Sequence, residues 1–350
     1  MKKIIAIFAF LLMTILFVNK VDALENSVKM VPAFSSESQV QDRIWVGTFQ
    51  LVWNDFMDEV IKGPIKFKSS AMTDDAIQLN KQEFKKSMLS EDSYYTAWGP
   101  TNVELKEKIE KALWDKFQEK SAVLDQIDWK DPFNAYLFYA MLKKDFNFHV
   151  RFENLGDDTF SGSENKIPYF GLDKKSPAYL YNGVEVLFYN NPFDYAVVLK
   201  SDNDQVILYR TNDNKTFSKM YSDLAEKAKR YKGNKKFVAG DRLKVPYMSI
   251  NQQTGFSDLC QKQIDGTDLY IDKTIQTVEF NMTRRGVKLK SEAVIDADFM
   301  SLPVENKERG RNFYFNNKFV LFMKETNKNV PYFAVRVKDM DLFKYTGKVD

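Results

Sequence analysis

The feature that most constrains this chain is a change of hydrophobic period partway along it. From about Ser36 to Trp129 apolar residues recur mainly at helical spacing. Thr101-Asn102-Val103-Glu104 reads as a capping box, and Leu105, Ile109, Ala112, Leu113 and Phe117 then share one face of a helix. Residues 50–61 read as a second helix, stopped by Gly63-Pro64. After Asp131-Pro132 the pattern becomes one of aromatic and β-branched runs divided by turn residues, at 134–141, 184–189, 195–199 and 205–209. Such runs are strand signals. A polar helix follows at 217–229, then further strands at 242–250, 274–282, 313–324 and 330–338. Helices first and strands later imply an α+β fold, with 24–130 mainly helical and 131–350 mainly β within one domain.

The N-terminus bounds where the chain works. Lys2 and Lys3 precede an apolar run from Ile4 to Val18, and Val21-Asp22-Ala23 follows it. This is the charged, apolar and small-residue order of a cleavable export signal over residues 1–23. The run is shorter than the roughly 20 residues needed to span a bilayer, so the expected product is a secreted chain with no membrane attachment. Removing the leader takes three lysines and one aspartate, leaving 48 cations against 47 anions. A near-neutral chain gives no overall electrostatic case for nucleic acid or anionic membranes as partners.

Several kinds of chemistry are excluded by composition. Cys260 is the only cysteine, so no intrachain disulfide forms despite the export signal. That combination, with many lysines and asparagines, fits a bacterial secreted protein. His149 is the only histidine, which removes zinc sites built from His and Cys. It lies among Phe146, Phe148, Val150 and Phe152, where a structural role outweighs that of a catalytic base. No G-x-S-x-G, Walker loop or G-x-G-x-x-G is present, and no cofactor is implied. Asp202-Asn203-Asp204 and Asp213-Asn214 lack the glycine and terminal glutamate of a calcium loop and read as turns. Paired carboxylates for hydrolysis are assembled by a fold, and nothing in the sequence singles out two.

The C-terminal third carries the most specific pattern. Thr277-Val-Glu-Phe-Asn-Met-Thr-Arg-Arg-Gly286 leads into Val287-Lys-Leu-Lys-Ser-Glu-Ala-Val-Ile295, then Asp-Ala-Asp-Phe-Met300-Ser301-Leu-Pro303. Phe313-Tyr-Phe-Asn-Asn-Lys-Phe319-Val-Leu-Phe-Met and Val330-Pro-Tyr-Phe-Ala-Val-Arg-Val337 close the chain. Upstream stand Asn134-Ala-Tyr-Leu-Phe138, Thr159-Phe160, Val186-Leu-Phe-Tyr189 with Tyr195-Ala-Val-Val-Leu199, and Phe256-Ser-Asp-Leu259 with Leu269-Tyr-Ile-Asp-Lys273. In this order the segments, from Asn134 to Val337, resemble the serpin superfamily. The resemblance implies a serpin-like fold: a helical layer, large mixed and antiparallel sheets, and an exposed reactive loop near the C-terminus, here about 286–311. The usual Ser-Pro-x-Ser-Ile helix start is missing, which implies a trimmed or altered helical layer.

A serpin inhibitor is cut in that loop by its target protease, and the freed loop inserts as a new strand into the main sheet. Beyond Gly286, Val287, Leu289, Ser291 and Ala293 alternate with Lys288, Lys290 and Glu292. The period of 2 puts apolar or small residues on one face and charges on the other. An ordinary edge strand has the same alternation. The resemblance implies Gly286 and Val287 as hinge, Leu289, Ser291 and Ala293 as inserting face, and Met300-Ser301, fourteen residues on, as the scissile bond. Methionine suits the pocket of an elastase-like or subtilisin-like serine protease, whereas trypsin's is acidic. Gly310, with Arg309 and Arg311, reads as the loop's solvated return. Two functions stay open: a protease-directed bait without catalysis of its own, and a non-inhibitory serpin-like binding protein that engages a host or surface partner, favoured by bulky Leu289, Lys290 and Glu292. A secreted hydrolase with two close acids in a deep polar cleft is a third.

Overall fold

The computed structural model describes residues 27–68, 70–121, 123–129, 135–288 and 310–349. The leader therefore lies outside the described residues. Elements are numbered in chain order within each type. The largest sheet has seven strands in the order β1 (Lys29–Val31), β2 (Arg43–Val46), β17 (Phe333–Val337), β16 (Phe319–Glu325), β10 (Asp204–Arg210), β9 (Asp194–Lys200) and β8 (Val184–Asn191). All its pairs are antiparallel except β1 with β2. A four-stranded sheet runs β15 (Asn312–Tyr314), β11 (Arg242–Pro246), β7 (Lys166–Leu172) and β6 (Glu153–Thr159). The third sheet runs β3 (Tyr94–Pro100), β4 (Ala135–Leu142), β13 (Tyr270–Thr283), β14 (Gly286–Lys288) and β5 (Asp145–Asn147), with β12 (Met248–Thr254) also on β13.

Among the described residues four α-helices pack around these sheets: α1 (Thr48–Phe56), continued by a π-helical turn over Met57–Ile61, α2 (Asp74–Leu79), α3 (Val103–Phe117) and α4 (Phe217–Arg230). The fold is thus α+β, as the change of period implied, although residues 27–129 also supply β1, β2 and β3. Residues 242–250 and 313–324, each read as one strand, are two. Tyr247 bends the first run by donating its N–H to Pro168 O at 3.0 Å, sending β12 to the third sheet. Phe313 and Phe315 both pack on Tyr195, and the Asn316-Asn317 turn then carries β16 into the seven-stranded sheet. A continuous hydrophobic run can cross from one sheet to another with no change of period.

Local chemistry fixes the helices. Helix α3 starts one residue later than the capping box implied: Asn102 accepts the Leu105 N–H at 2.9 Å, while the Thr101 hydroxyl donates to Ala135 O. Leu105, Ile109, Leu113 and Phe117 are buried as expected and cover Leu137, Tyr139 and Ile275 on one face of the third sheet. Helix α1 is buried nearly all round and fills the other face. Its polar Gln50 donates to Asn54 Oδ1 at 2.8 Å and to Leu79 O at 2.7 Å, so burial leaves no amide stranded. Phe56, fully buried, lies against Trp98, Tyr136 and Phe138 at centroid separations of 5.3, 5.8 and 4.8 Å. Replacing a buried phenylalanine by alanine loses transfer energy and opens a cavity. Phe56→Ala is expected to cost about 3–5 kcal/mol in urea unfolding, and a loss below about 1 kcal/mol would contradict this packing.

Candidate functional site

Strand β13 divides one of its edges between two partners. Thr277 pairs with both Gln253 and Met141, and Met282 with both Met248 and Val287. Since β12 occupies one edge from Gln276 to Met282, a span that overlaps both other pairings, β4 and β14 must share the other. The parallel β4·β13 pairing runs from Tyr270 opposite Ala135 to Thr277 opposite Met141. Above it the chain continues through Lys143 and Lys144 into β5, and β14 lies between β5 and β13, antiparallel to both.

The expected hinge is therefore already a strand. Reversal falls at Arg284-Arg285, whose carbonyls accept the N–H groups of Phe152 at 2.9 Å and Phe148 at 2.8 Å. Gly286 is required by close approach: a Cβ there would lie 2.1 Å from Phe146 O and 2.7 Å from Asn147 Cα. Val287 is fully buried in the main core, opposite Met282 and Phe146. Leu289, Ser291, Ala293, Met300 and Ser301 lie outside the described residues.

The joint between β4 and β5 is pinned on both faces. Lys143 Nζ lies 2.9 Å from the Glu119 carboxylate and donates to Phe117 O at 3.0 Å, at the C-terminal end of α3. The dipole there favours a cation. Lys144 points into the protein, where its buried ammonium lies 2.6 Å from Glu325 and 3.1 Å from Asp204. Asp204 and Glu325 sit directly opposite each other on β10 and β16, so Lys144 separates like charges. Tyr332 completes the cluster, donating to Asp204 Oδ1 at 2.8 Å, with its ring 5.0 Å from the ammonium. Ser90 donates its N–H and hydroxyl to the Glu325 oxygens at 3.0 and 2.9 Å.

Burial raises the Asp204 carboxyl above its usual range despite Lys144 and Tyr332. Burial also acts on Glu325, but hydrogen bonds from Lys144 and Ser90 outweigh it and hold that carboxyl low. Lower down, the buried Gln276 amide bridges the closed part of the pair: its Nε2 donates to Thr277 O at 2.9 Å and reaches Ala140 O at 3.5 Å. The Thr48 hydroxyl on α1 donates to Gln276 Oε1 at 3.2 Å.

The return of the loop is anchored, which corrects its reading as solvated. Arg311 is held bidentately by the fully buried Asp241, at 2.6 Å to Oδ2 and 3.2 Å to Oδ1, and its N–H also donates to Oδ1 at 2.8 Å. The remaining guanidinium donors reach Asn234 O and Lys236 O at 2.5 and 2.6 Å. At Gly310 a Cβ would collide with Gly240 O. The two described ends of the loop thus enter different sheets, β14 the third and β15 the four-stranded one.

Other residues marked by sequence fall elsewhere. His149 is exposed in a bend, outside any strand, with Nε2 3.0 Å from Asp202 in the β9–β10 turn. Cys260 is half-buried. Asp202 and Asn203 are turn residues, but the adjacent Asp204 belongs to the buried cluster. Sequence reasoning missed Lys144, Glu325, Tyr332, Gln276 and Asp241. The one available signal was the Lys143-Lys144 pair at the end of an apolar strand.

No protein-family model matches the chain, and no curated protein does. Among solved structures the chain is similar to serpins. For Tengpin, a thermophilic serpin, identity is 12%, coverage 87% of this chain and 75% of that one, and the TM-score 0.48. For Serpin48 of the insect Tenebrio molitor the values are 13%, 78%, 72% and 0.44. For human thyroxine-binding globulin, solved with its hormone, they are 13%, 68%, 64% and 0.44.

Removing Lys144 leaves two opposed carboxylates buried without a cation. Lys144→Met is expected to cost about 3–5 kcal/mol at neutral pH in denaturant unfolding, and adding Glu325→Gln is expected to recover part of it. In the unaltered chain Glu325 is held below its ordinary 4.5. Its contribution is present above that pH and is lost as pH falls through the depressed folded value. A Lys144→Met chain as stable as the parent would contradict the clamp.

Proposed function

We propose that the chain is a secreted, serpin-like bait for an extracellular serine protease, elastase-like or subtilisin-like, with Met300-Ser301 as the bond offered. The observation that carries this reading is β14: the first residues beyond the turn already lie on the edge of β13 that β4 occupies below. A strand begun there lengthens by taking β4's place, pair by pair, starting at Thr277 and Met141. Val287 sets the register, with its side chain on the buried face. The same alternation would send Leu289, Ser291 and Ala293 to the core side and leave Lys290 and Glu292 on the other. Anchoring through Arg311 supports cleavage as the trigger, since an uncut loop is tethered at both ends.

The second reading is a binding protein with a static loop. The closed β4·β13 pairing, bridged by Gln276 and covered by α3, favours it. A hydrolase has less support. The open groove of about 550 Å³ over β6, β7 and β11 does hold Asp157, Asp158 and Asp173. However, Asp158 is bonded to Lys244, which holds its carboxyl low, whereas a general acid needs a raised one.

The test is to incubate the chain lacking residues 1–23 with elastase-like and subtilisin-like proteases and examine a denaturing gel. A covalent complex, abolished by Met300→Asp or Val287→Arg, is the expected result. Cutting near Met300 with no complex and no rise in thermal stability would overturn the bait reading in favour of the static loop.

A further inference from the structure

The near-neutral total charge conceals a local excess of cations. The last turn of α4 and the segment after it contain Lys227, Lys229, Arg230, Lys232, Lys235 and Lys236, with Glu226 the only acid among them. All but Lys227 are exposed. Glu226 pairs with Arg230. Among the described residues no carboxylate lies within ion-pair distance of Lys229, Lys232, Lys235 or Lys236. The strip runs beside β8, the edge of the seven-stranded sheet: Val186 donates its N–H to Lys235 O at 2.9 Å, and Lys236 bridges Glu185.

At the other end of β8 stands the hairpin to β9. Its Phe193 is 67% exposed, more than any other large apolar side chain among the described residues. The Phe193 N–H donates to Asn191 Oδ1 at 2.8 Å, which holds the backbone of the turn that carries the ring. The next residue, Asp194, lies 2.7 Å from Lys227 Nζ, which ties the hairpin tip to the basic helix end.

We propose that this strip and the Phe193 hairpin form a docking surface for an anionic lipid membrane. Each cation near such a surface gains from the headgroup potential, and a projecting aromatic ring gains by entering the interfacial layer. A soluble polyanion would satisfy the lysines but give Phe193 nothing. The proposal does not depend on the bait reading. It does place the membrane next to the loop's return, because Asn234 O and Lys236 O in the strip are bonded by Arg311.

The experiment is co-sedimentation of the chain lacking residues 1–23 with phosphatidylcholine vesicles, with and without phosphatidylglycerol. Phe193→Ser and Lys229→Glu/Lys232→Glu are run in parallel, with circular dichroism checking that each is folded. Binding is expected only with phosphatidylglycerol and is expected to weaken with added salt. Charge reversal should reduce it at least about tenfold, and Phe193→Ser about fivefold. Absence of binding would overturn the proposal. So would binding untouched by Phe193→Ser and competed by soluble dextran sulfate, which would define a polyanion site instead.

Discussion

The third sheet depends on how β13 shares one edge between β4 and β14. Two parallel strands cannot take up another strand between them while they are hydrogen-bonded to each other, so the point where β4 leaves β13 sets the space available. That point is fixed by Lys143 and Lys144. Successive side chains of an extended backbone face opposite ways, so one lysine reaches the end of α3 and the other reaches the seven-stranded sheet. The position of β5, and with it the slot occupied by β14, follows from these two attachments.

The clamp has the energetics of a buried ion cluster. Desolvating an ammonium and two carboxylates is costly, and the mutual attraction repays it only when every remaining donor and acceptor is satisfied. Tyr332 and Ser90 supply those partners. Such a cluster adds little net stability over an apolar core, but it tolerates few alternative arrangements.

Much of the architecture was legible because burial on both faces writes a strand as a continuous apolar run, as in β10 and β16. The alternation beyond Gly286 was legible too. Other elements left no trace in the pattern. Strand β6, Glu153-Asn-Leu-Gly-Asp-Asp-Thr159, is an exposed edge with no apolar face, and β5 is only three residues long. Arg43 and Arg336 face each other across β2 and β17, both 1% exposed, with Arg43 Nη1 donating to Val40 O and Arg336 Nε to Asp213 O. Nothing in residue spacing marks two arginines as core. The clamp was hidden for the same reason: Lys144, Asp204 and the Glu325–Tyr332 stretch come from three separate parts of the chain, and only the pairing of β10 with β16 brings the two acids together.

The central claim is that the edge of β13 below β14 is where the chain beyond Gly286 continues as a strand. Amide hydrogen exchange across β4 and β13, measured on the intact chain and again after a single cut in the 289–309 segment, tests it most directly. The account predicts that the cut raises thermal stability and strengthens protection at whichever of Phe280, Glu279 and Val278 turn their N–H away from β12, with protection retained from Thr277 downward as the new strand replaces β4. Unchanged exchange and stability after the cut would contradict it, leaving β14 as a fixed three-residue strand.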